Sequence, residues 1–178
     1  MSKIQVKDKQ FVLSIPEKDI VEAISKVAKQ MGEDLRDKNP LFICVLNGAF
    51  MFASDLIKQF NFPCEITFIR LKSYEGTSTA GKVKEVHGLI EEIENRNVVV
   101  LEDIVDTGYT IENLQKYLLS KNPQSVKVAT LLFKPKALLR EVKPDYTALE
   151  IPNDFIVGYG LDYDGYGRNL KDIYRVEG

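Results

Sequence analysis

The chain alternates short, continuously apolar runs with segments whose apolar residues recur at helical spacing. The run LFICVL (Leu41 to Leu46) precedes a helical pattern in AFMFASDLIKQF, and the run VVVLED precedes another in TIENLQKYLLS. Continuous apolar runs are typical of strands buried on both faces, and parallel strands need long crossover connections that are usually helical. We therefore predict an α/β fold with a mostly parallel central sheet and helices on both faces.

Further elements follow from the same patterns. Ser14, Pro16 and Glu17 form a capping-box-like start for an amphipathic helix that runs to about Asp37. EITFIRLKSY, SVKVATLLFK and DYTALEI are predicted strands, and PKALLREVKP is predicted as a short helix or a turn. The last two dozen residues are rich in glycine and tyrosine and predict short β-like pieces.

The length of 178 residues favours one domain. We expect a core at about 16–157, covered by a small hood lobe from about 1–15 and 158–178. The charge is nearly balanced, with 24 Lys+Arg against 26 Asp+Glu and a net charge of -2. This balance gives no electrostatic reason to expect nucleic-acid or membrane-surface binding, so any anion must be held by local groups.

The cysteines and the first residues bear on the cellular compartment. Cys44 and Cys64 are the only cysteines and lie in or beside apolar stretches, which favours buried free thiols. One histidine, His87, gives too few ligands for a Cys/His zinc site. The charged start MSKIQVKDKQF does not resemble a signal peptide, and no apolar run is long enough to cross a bilayer. We expect a cytoplasmic protein.

Acidic residues are concentrated at the end of the most apolar strand. Glu102, Asp103 and Asp106 end the run that begins at Val98, and the turn 107–110 leads into a helix. Carboxylates at a strand end can bind sugar hydroxyls or Mg²⁺. Backbone N–H groups and threonine hydroxyls of the turn can hold a phosphate at the helix N-terminus, where Gly108 permits close approach. A sugar phosphate suits both groups.

Three other interpretations compete with this one. The acids could be solvated loop residues or a helix N-cap. VVVLED also resembles a Walker B strand, and Gly76 to Val83 nearly matches a P-loop, but Val83 stands where a Mg²⁺-binding hydroxyl is needed. A receiver-like domain would use the strand-end acids with Lys134, but it gives the hydroxyl-rich turn no purpose. We interpret Gly76 to Val83 as part of a mobile lid.

Several stretches together resemble a known family. EDIVDTGYT closely resembles the phosphoribosyl pyrophosphate signature of the type I phosphoribosyltransferases. VLNGAFMFASDL, LKSYEGTSTAGKV, LLFKP and IPNDFIVGYGLDYDGYGRNL are similar to the hypoxanthine(-guanine) branch of that family. The resemblance covers about Pro40 to Asp172. It implies purine salvage, in which Mg²⁺-dependent transfer of a phosphoribosyl group to hypoxanthine or guanine gives IMP or GMP and pyrophosphate.

The resemblance also implies a role for each matching residue. Glu102 and Asp103 would face the ribose hydroxyls and Mg²⁺, and Asp162 would contribute to a second Mg²⁺ site. Asp106 would accept a proton from the purine, Lys134 would donate to its 6-oxo group, Phe155 would stack on it and the Ile156 backbone would contact its edge. The remaining implied substrate-binding residues are Asn47 and Gly48 in the pyrophosphate turn, Ser73 and Tyr74 at the start of the lid, Ile104, Val105, Thr107, Gly108, Tyr109 and Thr110 around the 5′-phosphate, and Arg168 beside the pyrophosphate.

One residue departs from the family pattern. Asn47 stands where relatives often carry lysine or arginine, so a direct charge contact to pyrophosphate from this position is lost. The resemblance further implies a homodimer or homotetramer. A regulator that keeps the fold but binds nucleic acid is the alternative function, and it would need a basic face that the charge balance does not indicate.

Overall fold

The computed structural model describes residues 2–73 and 83–177. Its ten strands are β1 (Lys3–Val6), β2 (Lys9–Ile15), β3 (Leu41–Leu46), β4 (Glu65–Ser73), β5 (Val83–His87), β6 (Asn97–Val105), β7 (Ser125–Phe133), β8 (Tyr146–Glu150), β9 (Ile156–Val157) and β10 (Ile173–Val176). The three helices in the described part are α1 (Glu17–Leu35), α2 (Phe50–Ile57) and α3 (Tyr109–Leu119). None of the described helices is long and apolar enough to cross a membrane.

The central sheet confirms the predicted α/β class. Its six strands lie in the order β5-β4-β3-β6-β7-β8, and all neighbours pair in parallel except β5, which is antiparallel to β4. Because β4, β3, β6 and β7 run the same way, their carboxyl ends at Ser73, Leu46, Val105 and Phe133 share one edge of the sheet. The predicted strand-end groups therefore come from neighbouring strands.

Helices cover both faces of this sheet. The amphipathic helix α1 and the apolar helix α2 pack on one face, against side chains such as Phe42, Cys44 and Leu101. Helix α3 packs on the other face, against Ile43, Val45 and their neighbours. Alternate residues of β3 thus enter different cores, as the period of two in a strand requires.

A second, antiparallel sheet forms the small hood lobe, in the order β1-β2-β10-β9. In this sheet β2, near the start of the chain, pairs with β10, near its end. The strands β1 and β2 were not predicted, because their turn at Lys7 and Asp8 contains no glycine and polar residues make up nearly half of the two strands. Lys7 nevertheless adopts a positive φ of 51° there. The edge strand β5 was also missed.

The start of α1 corrects the predicted capping box. The N-cap residue is Pro16, and no side chain from this segment caps the helix. Instead, the Glu17 N–H donates to Asp172 Oδ1 over 2.7 Å, and Lys171 Nζ lies 3.2 Å from Glu17 Oε2. Proline has no side-chain acceptor, so the cap comes from the hood segment, 155 residues further along the chain.

The segment 135–144 forms turns instead of the helix that was also considered. Prolines stand at both of its ends, and the Leu139 N–H donates to the Thr107 carbonyl over 2.9 Å. Both cysteines are free thiols, as predicted, but only Cys44 is buried, and Cys64 is partly exposed. Burial raises the pKa of the Cys44 thiol to about 12, with a further contribution from the nearby Glu102 carboxylate.

Candidate active site

Glu102 lies inside β6, since the strand continues past the acids to Val105. Its side chain is only 6% exposed, and Oε2 has no hydrogen-bond partner among the described residues. Burial raises the pKa of this carboxyl well above its usual value, and the neighbouring Asp103 charge raises it further. A buried carboxylate with a free oxygen is costly unless a cation or a donor reaches it.

Asp103 sits beside Glu102 and under the β3–α2 turn. Burial raises the pKa of its carboxyl, while hydrogen bonds with Glu102 and with the Ile104 N–H, 2.7 Å away, act in the opposite direction. Gly48 packs directly on this carboxyl: a Cβ at Gly48 would overlap Oδ2 and lie 2.5 Å from Cγ. Only glycine fits this turn while Asp103 keeps its position.

The turn after β6 opens into a cleft of about 240 Å³. Its lining contains eight of the predicted site residues, which are Glu102, Asp103, Ile104, Val105, Asp106, Thr107, Gly108 and Thr110. Gly108 is the N-cap of α3 in the left-handed conformation, with φ 86°, and no side chain caps the helix. First-turn N–H groups therefore remain available to an anion.

The segment 135–144 holds this turn from behind. A Cβ at Gly108 would lie 2.9 Å from Leu138 Cδ1 and 3.2 Å from Arg140 Cβ. Tyr109, which is not part of the cleft lining, lies under Arg140, whose guanidinium carbon is 3.9 Å from the ring centroid. The packing leaves no space for a larger residue at position 108.

Lys134 directly follows β7 and contacts the cleft lining through Asp106. Its side chain is 8% exposed, and Nζ lies 3.0 Å from Asp106 Oδ2. Asp106 is 42% exposed, so this ion pair has one buried and one accessible member. Two of the four residues predicted to contact the purine base, Asp106 and Lys134, therefore contact each other.

The β3–α2 turn packs against the hood. The Leu46–Asn47 peptide is cis. A Cβ at Gly160 would overlap the Gly48 carbonyl oxygen and lie 3.2 Å from its carbon. Asn47 is exposed, and its Oδ1 accepts a hydrogen bond from Arg70 Nη2 over 2.9 Å.

Asp162 and Arg168 form an ion pair in the hood. Arg168 Nη2 lies 2.6 Å from Asp162 Oδ1, and Arg168 Nη1 donates to the Gly160 carbonyl over 2.7 Å. The other Asp162 oxygen accepts the Gly165 N–H over 2.6 Å. The Arg168 charge also acts on Asp103, where it lowers the pKa of the carboxyl. Arg168 is thus near the strand-end acids.

Phe155 is 47% exposed although it is a large aromatic residue. Its ring packs edge-on against Tyr163, with centroids 5.7 Å apart, and lies 6.2 Å from the Phe11 ring. Ile156 is the first residue of β9 and is buried, with its backbone opposite Arg175 of β10. An exposed ring held by two others can serve as a stacking surface.

The predicted lid begins at Ser73, the last residue of β4. Tyr74 and most of the P-loop-like stretch, residues 76–82, lie outside the described residues. Val83 is the first residue of β5.

The strand-end acids fit a hard cation. Glu102 offers an oxygen without a partner, and Asp103 adds a second carboxylate. Among the described residues, no group of three or more acidic, histidine or cysteine side chains is close enough to hold a metal ion. Mg²⁺ commonly binds through one or two carboxylates and completes its shell with water and substrate oxygens.

Sequence reasoning gave no role to Arg70, Phe11 or Tyr163. The alternation in EITFIRL could have placed Arg70 on one face of β4, but not beside Asn47. That neighbourhood depends on the parallel register, in which Leu46 lies opposite Arg70. Phe11 and Tyr163 meet Phe155 only because the two ends of the chain form one sheet.

The fold and the cleft together define the class of protein. The phosphoribosyl transferase domain family matches residues 15–164, and the chain belongs to this family. Its similar relatives include the hypoxanthine-guanine phosphoribosyltransferases of Streptococcus thermophilus strain CNRZ 1066, with 41% identity over 88% of both chains, and of Streptococcus pneumoniae strain R6, with 39% identity over 87% of both chains.

Solved structures agree with this relationship. A hypoxanthine-guanine phosphoribosyltransferase from Bacillus anthracis superposes with a TM-score of 0.85 at 35% identity, covering 94% of this chain and 97% of the other. The hypoxanthine phosphoribosyl transferase of Trypanosoma cruzi gives a TM-score of 0.86 at 33% identity, covering 98% of this chain and 95% of the other.

Proposed function

We propose that the protein is a purine-salvage enzyme that transfers the 5-phosphoribosyl group of phosphoribosyl pyrophosphate to hypoxanthine and guanine. The observation that carries the proposal is the cleft in which the β6 acids, the α3 N-terminus and the Asp106–Lys134 pair converge. The names of the relatives agree with this substrate class. No described feature favours the nucleic-acid-binding alternative, and the net charge of -2 gives it no support.

The phosphate and the ribose would occupy different parts of the cleft. Backbone N–H groups from Asp106 to Thr110, with the hydroxyls of Thr107 and Thr110, would hold the 5′-phosphate at the start of α3. Ile104 and Val105 line the approach to this cradle. Glu102 and Asp103 would accept hydrogen bonds from the ribose hydroxyls, so the anion and the acids do not compete for one position.

The base would lie between the Asp106–Lys134 pair and the Phe155 ring. Lys134 Nζ would donate to the 6-oxo group, which requires Lys134 to share or leave its 3.0 Å contact with Asp106. The freed carboxylate would then accept the purine proton. Phe155 would stack on the ring, and the backbone of Ile156 would contact its edge.

The reaction forms a bond between C1 of the ribose and a purine nitrogen, and breaks the bond between C1 and pyrophosphate. The electron pair of the broken bond leaves with the pyrophosphate, and the base gives its proton to Asp106. Arg168 and the turn at Asn47 and Gly48 would stabilise the leaving charge. A lid beginning at Ser73 and Tyr74 would exclude water that could capture the ribosyl cation.

Mg²⁺ would be held at Glu102 and Asp103 together with substrate oxygens, and when bound it supplies positive charge against the developing pyrophosphate charge. For Asp162, a direct role as a Mg²⁺ ligand is restricted by its existing contacts. Both of its carboxylate oxygens already accept bonds, from Arg168 and from the Gly165 N–H. A second Mg²⁺ near Asp162 would therefore bind through water or require this ion pair to open.

The test of the activity is product analysis. The purified protein with phosphoribosyl pyrophosphate, Mg²⁺ and hypoxanthine is expected to yield IMP and pyrophosphate in equal amounts, and EDTA should stop the reaction. A chain that forms neither IMP from hypoxanthine nor GMP when guanine replaces it would contradict the proposal.

Replacing Lys134 by methionine should weaken the preference for 6-oxopurines. Methionine keeps most of the side-chain length but cannot donate a hydrogen bond. The ratio of kcat/KM for hypoxanthine to kcat/KM for adenine should therefore fall by about 10- to 100-fold, which is the loss expected when one charged hydrogen bond is removed. The matched control is Lys127→Met, because Lys127 pairs with Asp34 near the start of the same strand. An unchanged base preference in Lys134→Met would remove Lys134 from this role.

We also propose a homodimer or homotetramer. On β4, the side chains of Ile66 and Phe68 are 39% and 46% exposed. The alternate residues of the strand, Thr67 and Ile69, are buried. An apolar stripe on an otherwise polar surface favours contact with a second copy. Sedimentation equilibrium should return the mass of two or four chains, whereas a single-chain mass at micromolar concentration would contradict this.

Because both cysteines are free thiols, we place the enzyme in the reducing cytoplasm.

A further inference from the structure

Arg70 lies at the carboxyl edge of the central sheet, next to the turn that carries Asn47 and Gly48. In the parallel register of β3 and β4 it stands opposite Leu46, the last residue of β3. Its side chain is exposed, and Nη2 donates to Asn47 Oδ1 over 2.9 Å. The hydrogen bond fixes a guanidinium beside an uncharged residue at the tip of the turn.

A second guanidinium, that of Arg168, is linked to the same turn through the hood. Arg168 donates to the Gly160 carbonyl, and Gly160 packs on the Gly48 carbonyl. Arg168 is paired with Asp162, whose carboxylate offsets part of its charge. The turn is thus in contact with Arg70, which is bound to an amide, and is linked through Gly160 to Arg168, which is bound to an acid.

The chemistry of the two side chains suits a polyanion. A guanidinium has five N–H donors in a planar fork that matches phosphate oxygens, and the Asn47 oxygen takes one of them. The Asn47 amide nitrogen adds two further donors at the tip of the turn. Binding of Arg70 to a neutral acceptor orients the guanidinium without neutralising it.

We propose that Arg70, oriented by Asn47, binds the pyrophosphate of the donor substrate and so determines its affinity. The inference rests on the proposed transferase function and adds a residue to it. The turn at residues 46–48 has no basic side chain of its own. Positive charge reaches this side of the turn from the neighbouring strand instead.

The experiment measures steady-state kinetics of Arg70→Met, with Arg70→Lys as the conservative variant. In Arg70→Met, KM for phosphoribosyl pyrophosphate in the forward reaction and KM for pyrophosphate in the reverse reaction should both rise by about 10- to 100-fold. KM for hypoxanthine and the Kd for IMP, which lacks pyrophosphate, should stay within about twofold. Arg70→Lys should recover part of the loss because it restores the charge but not the fork.

The matched control is Arg96→Met. Arg96 directly precedes β6 and pairs with Glu65 over 2.7 Å at the opposite end of β4, so this variant removes an ion-paired arginine far from the turn. Its KM values should equal those of the unmodified chain. A double-mutant cycle adds Asn47→Ala, whose effect should be smaller when Arg70 is already methionine.

The outcomes separate the inference from the proposed function. A chain that makes no IMP or GMP contradicts the function itself. A chain that is active, but whose Arg70→Met variant keeps its KM for both phosphoribosyl pyrophosphate and pyrophosphate, overturns the inference alone. An equal rise in KM for hypoxanthine or in the Kd for IMP would also overturn it, because this would indicate a general structural role. Recovery of pyrophosphate affinity in Asn47→Lys/Arg70→Met would support it.

Discussion

Replacing Asp106 by asparagine is expected to lower the rate of the chemical step by about 10²- to 10⁴-fold, the usual value of general-base assistance. Asparagine has the same shape and can still accept the Lys134 hydrogen bond through its side-chain oxygen. It cannot take a proton from the purine. The Kd for IMP should therefore change by only a few fold. Single-turnover measurements with rapid quenching separate this step from product release.

The control for this variant is Asp34→Asn. Asp34 lies 3.6 Å from Lys127 and accepts a hydrogen bond from Tyr146 over 2.8 Å, at the far end of the sheet from the cleft. Losing this carboxylate removes a comparable contact without touching the site, so the single-turnover rate should remain that of the unmodified chain. If Asp106→Asn reacts as fast as the unmodified chain, Asp106 is not the base.

Gly48→Ala is expected to lower kcat/KM for phosphoribosyl pyrophosphate by about 100-fold or more. The added Cβ would overlap Asp103 Oδ2, and the backbone on its other side packs against Gly160. Either Asp103 or the turn must therefore move, and a displacement of about 1 Å at a reacting site can cost about 100-fold in rate. The measurement is initial velocity at varied phosphoribosyl pyrophosphate with saturating hypoxanthine.

Gly32→Ala provides the matched control for this substitution. Gly32 lies within α1, where a Cβ would meet only Phe62 Cε1 at an ordinary distance of 3.8 Å. Alanine is the better helix former, so this variant should keep full activity and gain about 0.5–1 kcal/mol in unfolding free energy. Normal kinetics for Gly48→Ala would mean that the contact between the turn and Asp103 is not needed for catalysis.

The central sheet could be predicted from sequence because its strands and helices are encoded locally. The apolar runs at β3, β6 and β7 and the helical spacing in α1 each lie within one segment, and their alternation specifies a parallel sheet. The acids of β6 could also be identified from the sequence, since they follow an apolar run within a few residues. Even there the strand proved longer than predicted and includes Ile104 and Val105.

The features that were missed depend on contacts between distant segments. Asp172 caps α1 from 155 residues away, and Phe155 meets Phe11 through the hood sheet. The exclusion of side chains at Gly48 comes from Asp103, which no local pattern at the turn could indicate. The hood strands are short and come from the two ends of the chain, so no single segment of the sequence indicates that they pair.

The central claim is that the cleft selects a 6-oxopurine as the acceptor of the phosphoribosyl group. The most direct measurement is a competition assay in which hypoxanthine, guanine, xanthine and adenine are present at equal concentrations. Mg²⁺ is in excess and phosphoribosyl pyrophosphate is limiting, and the nucleotides formed are then separated and measured. The contacts of Lys134 and Asp106 predict that IMP and GMP dominate and that AMP stays at background. AMP formed in amounts equal to IMP and GMP, or the absence of all four nucleotides, would contradict it.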